Sequence, residues 1–160
     1  MILLVAVTSL TVAVFDQISK WIILQYFQEG QILPVIPEIF NLTLHYNKGV
    51  AFGMLADLPD GQRQILMTVT TMVALGFVAY LLIKQYLYDS VGQFSLALIL
   101  GGAAGNIIDR ARLGQVVDFL DFYYSTYHWP AFNLADSSIC VGVFLLIVRR
   151  PKDFHADESQ

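Results

Sequence analysis

Charge is scarce in this 160-residue chain: Asp, Glu, Lys and Arg together make up 14% of it, against roughly 25% in an ordinary soluble domain. That scarcity argues against a water-soluble globular protein. Cysteine is almost absent. A single residue, Cys140, excludes a disulfide within the chain and a Cys-rich metal site,. It lies in an apolar stretch with no histidine close in sequence to activate it, so it reads as a small core residue rather than a nucleophile,. Basic clusters are missing too. Nine Lys and Arg stand against 13 Asp and Glu, for a net charge of −4, and only Arg149, Arg150 and Lys152 sit together. A phosphate-binding surface needs more, so no nucleic-acid partner is expected. The three histidines, His45, His128 and His155, are scattered, and no His/Cys cluster has ligand spacing, so no metal and no cofactor is expected,. What fills the chain instead is apolar: 56% hydrophobic and 13% aromatic residues exclude disorder,.

Four charge-poor stretches approach the roughly 17–25 apolar residues that a bilayer-spanning helix needs. They predict spans at about residues 3–27, 65–83, 94–108 and 131–148 of a single domain over 1–160. The first carries no Lys or Arg before Lys20 and lacks the pattern of a cleavable signal peptide, so it reads as a retained span,. Four spans put both termini on one side, with loops 28–64 and 109–130 on the other. Cations flank both sides in similar number, so the positive-inside rule leaves the orientation open,.

Within the first outer loop, Phe40 to Tyr46 alternates apolar and polar residues as a half-buried strand does, and Asn47-Lys48-Gly49 reads as a turn,. Val50 to Met54 behind the turn, and Val116 to Phe119 in the second outer loop, suggest further strands of a small sheet on the membrane surface. Tyr123, Tyr124, Tyr127 and Trp129 suit the headgroup level,. The tail from about Pro151 reads as disordered.

Acids inside a bilayer are costly and tend to mark function. Asp16 falls in the later half of the first span, Asn106 near the end of the third, and Asp136 about one and a half turns, roughly 8 Å, into the fourth,. Because direction alternates between spans, all three come to the outer-loop face, where the short connection after Asp109 and Arg110 also returns Asp118. Two carboxylates held close share one proton, so that one serves as general base on a water while the other hydrogen-bonds a carbonyl: aspartic-peptidase chemistry. Blander readings stand beside this. Asp118 alone reads as a solvated loop acid. Asp16 and Lys20, at i and i+4, form a local ion pair with Lys20 snorkelling to the surface. Asn106 and Arg110 share a helix face, as do Asn133 and Asp136, and Gly101 and Gly105 form a small-xxx-small packing pair,.

The chain resembles the lipoprotein signal peptidase (signal peptidase II) family. Its motif blocks occur in order: Asp16-Gln17-Ile18-Ser19-Lys20; Asn47-Lys48-Gly49-Val50-Ala51-Phe52; Gly101 to Arg110; Val116-Val117-Asp118-Phe119; and Phe132-Asn133-Leu134-Ala135-Asp136-Ser137. The one departure is Ile107 where the family usually has leucine, a conservative change. The resemblance implies an inner-membrane aspartic endopeptidase that removes the signal peptide from diacylglyceryl-modified prolipoproteins, cutting before the lipidated cysteine. It implies a catalytic dyad of Asp118 and Asp136, with Asp16, Lys20, Asn47, Gly49, Asn106, Arg110, Asn133 and Ala135 as supporting or substrate-contacting positions. It further implies a membrane all-α core of four transmembrane helices, both termini cytoplasmic, a small extracytoplasmic β-sheet cradle and a periplasmic interfacial helix in the first loop. Lipid and a prolipoprotein would be the partners, the chain would act as a monomer, and loop 28–64 is the natural lid.

Two rivals remain at this point. A Ser/Lys peptidase would use Ser19 or Ser137 with Lys20. A proton or cation pathway would use Asp16 and Asp136, but the inner halves of the spans hold no acid or base to continue it,.

Overall fold

The computed structural model describes residues 2–49, 58–86 and 88–149. Four helices and a four-stranded sheet follow in the order α1 (Ile2–Tyr26), β1 (Ile32–Ile36), β2 (Phe40–Asn47), α2 (Asp60–Lys84), α3 (Ser90–Leu113), β3 (Val116–Tyr124), β4 (Tyr127–His128) and α4 (Leu134–Val148). The expected strand at Val50–Met54 and the tail after Arg149 lie outside the described residues. Among the described residues between α1 and α2 there is no helix, and α2 itself starts at Asp60, inside the stretch expected to be loop.

The helices are apolar outside and polar inside. In α1 the buried residues are Asp16, Lys20 and Ile23, while Leu10 and Phe15 are more than 60% exposed. Phe77 of α2 and Phe144 and Ile147 of α4 are likewise exposed. Large exposed apolar surfaces around a charged interior suit lipid and not water as the surrounding solvent. Helices α1, α2 and α3 are long and apolar enough to cross a bilayer, and α4 is a shorter apolar helix of 15 residues. Cys140 is exposed on α4 and not in the core, because the helix turns its small residues Ala135, Ser138 and Gly142 toward α3 and leaves Cys140 on the outer side.

Helix α3 is the central element, packed between α1 and α4. Asp89 caps its start by accepting from Val91 N at 3.2 Å, and Gly114, with φ of 72°, ends it,. Glycine makes the close packing possible. A Cβ at Gly101 would stand 2.6 Å from the Ser9 backbone oxygen of α1. One at Gly102 would run into the Ala135 backbone oxygen of α4, and one at Gly105 into the Asp16 carboxylate. The small-xxx-small pair therefore faces α1, and the glycine between its members faces α4.

Helix α4 begins at Leu134, later than the apolar run suggests. The Phe132 N–H donates to the Leu120 carbonyl at 3.1 Å, which ties that residue to the sheet, and the Asn133 side chain then caps the helix by accepting from Asp136 N at 2.9 Å. Asp136 consequently lies in the first turn of α4 and not one and a half turns down.

The sheet is antiparallel in the order β1-β2-β3-β4. Leu42, Leu44 and Tyr46 of β2 and Val117, Phe119 and Leu120 of β3 pack on Ile23, Leu24 and Phe27, so the sheet rests on the end of α1. The β2–β3 register slips between Leu42 and His45, and the Phe132 carbonyl accepts from both Phe119 N and Leu120 N. Phe119 and Leu120 thus both turn to the core. Asp118 and Asp121, three residues apart, consequently both line the opposite face,. Tyr124, Tyr127 and Trp129 are 70% or more exposed.

Gly102→Ala is expected to destabilise the folded protein in detergent by about 1–3 kcal/mol through overpacking. Gly76→Ala on α2, where a Cβ meets nothing within 4 Å, should be neutral or stabilising by up to about 1 kcal/mol. Thermal unfolding of the two variants beside the parent checks both signs.

Candidate active site

The polar interior begins with one buried cation. Lys20 Nζ lies 2.8 Å from Asp16 Oδ2 and 2.8 Å from Asp109 Oδ2, and all three side chains are at most 3% exposed. Lys20 therefore turns inward and does not snorkel to the surface, since the second acid, Asp109, gives it a buried partner. Each carboxylate also holds a backbone start point. Asp16 Oδ1 accepts from Ala135 N at 2.9 Å, at the positive end of α4, and Asp109 Oδ2 accepts from Val117 N at 3.1 Å, where β3 begins,. Gln17 Nε2 donates to Asp109 Oδ1 at 2.9 Å and to the Gly105 carbonyl at 3.1 Å.

Two asparagines carry the frame outward to the two acids. Lys20 Nζ donates to Asn106 Oδ1 at 3.1 Å, and Asn106 Nδ2 donates to Asp136 Oδ1 at 2.8 Å. Asn133, fully buried, donates from Nδ2 to Asp118 Oδ1 at 2.7 Å while its Oδ1 accepts from Asp136 N. Asp118 on β3 and Asp136 on α4 are thus brought to one site, spanned by a single amide side chain. Asn47 Nδ2 donates to Asp118 Oδ2 at 3.0 Å. The turn after β2 aims it there: Asn47 Oδ1 accepts from Gly49 N at 2.8 Å, and Gly49 takes a φ of 79°, which glycine adopts without strain,.

Burial pushes the Asp118 carboxyl up to about 7. The bonds from Asn47 and Asn133 and the charge of Lys20 work the other way, and the neighbouring Asp136 adds to the rise,. Asp118 therefore holds a proton near neutrality. It opens onto a cleft of about 1040 Å³ between the sheet and the helix ends, which Arg110, Asn47, Gly49 and Met67 also line. Among the described residues no three His, Cys, Asp or Glu side chains gather as metal ligands do. Ser19 Oγ and Ser137 Oγ donate to the helix carbonyls of Asp16 and Asn133, at 2.8 and 2.9 Å, and neither is bonded to Lys20.

Of the ten site positions expected from the sequence, Asp16, Lys20, Asn47, Asn106, Asn133, Ala135, Asp118 and Asp136 join one hydrogen-bonded network, with Gly49 in the turn and Arg110 in the cleft wall. Sequence reasoning passed over two groups. Asp109 and Gln17 complete the buried ion cluster. At the far end of the cleft, Asp121 accepts from Asn41 Nδ2 at 2.8 Å and bonds His128 Nδ1 at 2.9 Å.

A helical protein with apolar outer faces and a charged interior, opening beside a sheet onto an acid-lined cleft, has the architecture of a membrane-embedded protein with a polar site at one end. Residues 8–150 match the family profile described as Signal peptidase (SPase) II. The lipoprotein signal peptidase of Syntrophotalea carbinolica is 46% identical over 152 residues, which span 94% of this chain and 92% of that protein. That of Syntrophus aciditrophicus is 43% identical over 147 residues, 92% and 91% of the two chains. A bacterial membrane enzyme solved by the in meso method at 2.3 Å superposes with a TM-score of 0.79 at 36% identity, covering 90% of this chain and 85% of its own. The chain belongs to the signal peptidase II family. It is a peptidase and a multi-pass protein of the bacterial inner membrane.

Lys20→Met would leave Asp16 and Asp109 buried without their cation and should cost about 3–5 kcal/mol of stability. Adding Asp109→Asn should restore part of it, a recovery that unfolding of the single and double variants in detergent would measure.

Proposed function

We propose that this chain is an aspartic endopeptidase that removes the signal peptide from diacylglyceryl-modified prolipoproteins, cutting before the lipidated cysteine, with Asp118 and Asp136 as the catalytic dyad. The observation that carries the reading is the pairing itself. Two acids from different elements are held by one buried asparagine at the mouth of a cleft, and one of them, Asp118, retains its proton to about pH 7. Asp118 then holds the shared proton and donates to the scissile carbonyl. Asp136, in the first turn of α4 where the helix dipole favours an anion, takes the proton from an attacking water. The tetrahedral intermediate collapses as a proton passes to the leaving amine. No metal or cofactor enters these steps, and both acids belong to one chain, which suits a monomer.

In the same reading α4 makes a fourth crossing, both termini are cytoplasmic and the site faces the periplasm. The gathering of the site residues at one end of the helices supports this, with the Arg149–Asp89 pair, 2.9 Å, tying the helices at the other. Acyl chains of the substrate stay in the bilayer while its peptide enters the cleft beside Arg110 and beneath the loop that carries Asn47. Arg110 offers fixed positive charge to peptide carbonyls there.

Cleavage of a diacylglyceryl prolipoprotein by the purified chain in lipid tests the proposal. Asp118→Asn and Asp136→Asn should each fold and lose activity by about 10³-fold or more, in the range expected for removal of a general acid or base. Ser19→Ala and Ser137→Ala should cleave at near-parent rate. In the parent, kcat/KM should fall as pH rises through about 7, where the dyad loses the proton held on Asp118. Near-parent cleavage by either asparagine variant would overturn the assignment.

A further inference from the structure

The cleft extends past the dyad, to a cluster that its chemistry does not use. Asp121 follows Asp118 by three residues on β3 and faces the same cleft, roughly 10 Å farther along at about 3.3 Å per residue,. Its side chain is buried between Asn41 of β2 and His128 of β4. Histidine Nδ1 stands 2.9 and 3.0 Å from the two carboxylate oxygens. A carboxylate offers acceptors only, so Nδ1 carries the hydrogen that faces Asp121, which leaves Nε2 as the other hydrogen-bonding atom of the ring.

The ring is further fixed by stacking on Tyr123, with centroids 5.0 Å apart and planes at 9°, and by the β3–β4 pairing of these same two residues. Yet His128 remains 47% exposed at the cleft wall, and among the described residues Nε2 has no partner. Asn41 adds an independent sign. Its Oδ1 is buried and, among the described residues, without a partner,. The result is an imidazole held rigidly in the wall of the cleft.

We propose that His128, oriented by Asp121, contacts the substrate by hydrogen bonding through Nε2 to the segment that follows the scissile bond, about three residues beyond it. The inference rests on the peptidase reading above. The apolar signal helix of the substrate stays in the bilayer, so the part that crosses the sheet toward Asp121 is the segment released after the cut. Its extended rise matches the spacing from Asp118 to Asp121. Asp121 is a positioning residue: it sets which nitrogen of His128 faces the peptide.

The test compares two diacylglyceryl substrates in lipid, one with a long segment after the cleavage site and one that ends at the lipidated cysteine. For the parent, kcat/KM should be higher on the long substrate. In His128→Ala that ratio should fall about five- to tenfold, the worth of one hydrogen bond, through KM and not kcat. Asp121→Asn should lower it in the same direction, and His128→Gln, which keeps a hydrogen-bonding group in place of Nε2, should recover part of it. An equal loss on both substrates would mean a merely structural role. A ratio near one in the parent, or unchanged in His128→Ala, would also overturn the inference. If His128→Ala does not fold, the partial ratio of His128→Gln decides in the same way. Asp118→Asn separates the two claims: near-parent cleavage there sinks the aspartic-peptidase reading, whereas a strongly impaired Asp118→Asn with an unmoved His128 ratio sinks only this one.

Discussion

An ammonium group buried between two carboxylates sets the geometry of everything above it. Lys20 sits at 2.8 Å from both Asp16 and Asp109, in surroundings where an unpaired charge is costly, so none of the three can move without the others,. Each then fixes a different element. Asp16 holds an amide in the first turn of α4, Asp109 holds the start of β3, and Lys20 holds Asn106, whose amide reaches Asp136. The positions of Asp118 and Asp136 thus descend from one ion cluster, through one intermediate on each side.

Lipid-facing architecture explains why such a cluster is tolerated. Leucine, phenylalanine and isoleucine on the outside gain nothing from packing inward against one another, so helix association rests on close backbone approach and on polar contacts. Gly101, Gly102 and Gly105 supply the first on adjacent faces of α3, and the Asp16–Lys20–Asp109 set supplies the second. At the outer end the same polar interior meets the sheet, where burial of Asp118 beside Asp136 raises its carboxyl to about 7. A fold that encloses charge for stability thereby also keeps an acid protonated near neutral pH,.

Much of this was legible from residue order. The alternation over Phe40–Tyr46 marked β2, and charge-free runs marked the helices, because both signals are local periodicities,. The convergence of Asp16, Asn106 and Asp136 followed from alternating helix direction. What failed depended on tertiary partners. β1 was hidden because Ile32–Ile36 is apolar throughout, all exposed, and contains Pro34, which only an edge strand accepts,. The late start of α4 came from pairing of Phe132 with β3, and Lys20 turned inward only because Asp109, far away in sequence, meets it. Asp121 escaped notice because a regular strand would send it and Asp118 to opposite faces, and an irregular register returns them to one,.

The central claim is that the two acids at neutral pH hold one proton between them, with Asp118 as its main seat. Infrared difference spectroscopy of the purified chain in lipid, titrated across neutrality, reads it directly through the carbonyl stretch of a protonated carboxyl. One such band is expected, lost as pH rises through about 7 and absent from Asp118→Asn. A parent spectrum with no band titrating in that range, or one that persists unchanged in Asp118→Asn, would contradict it.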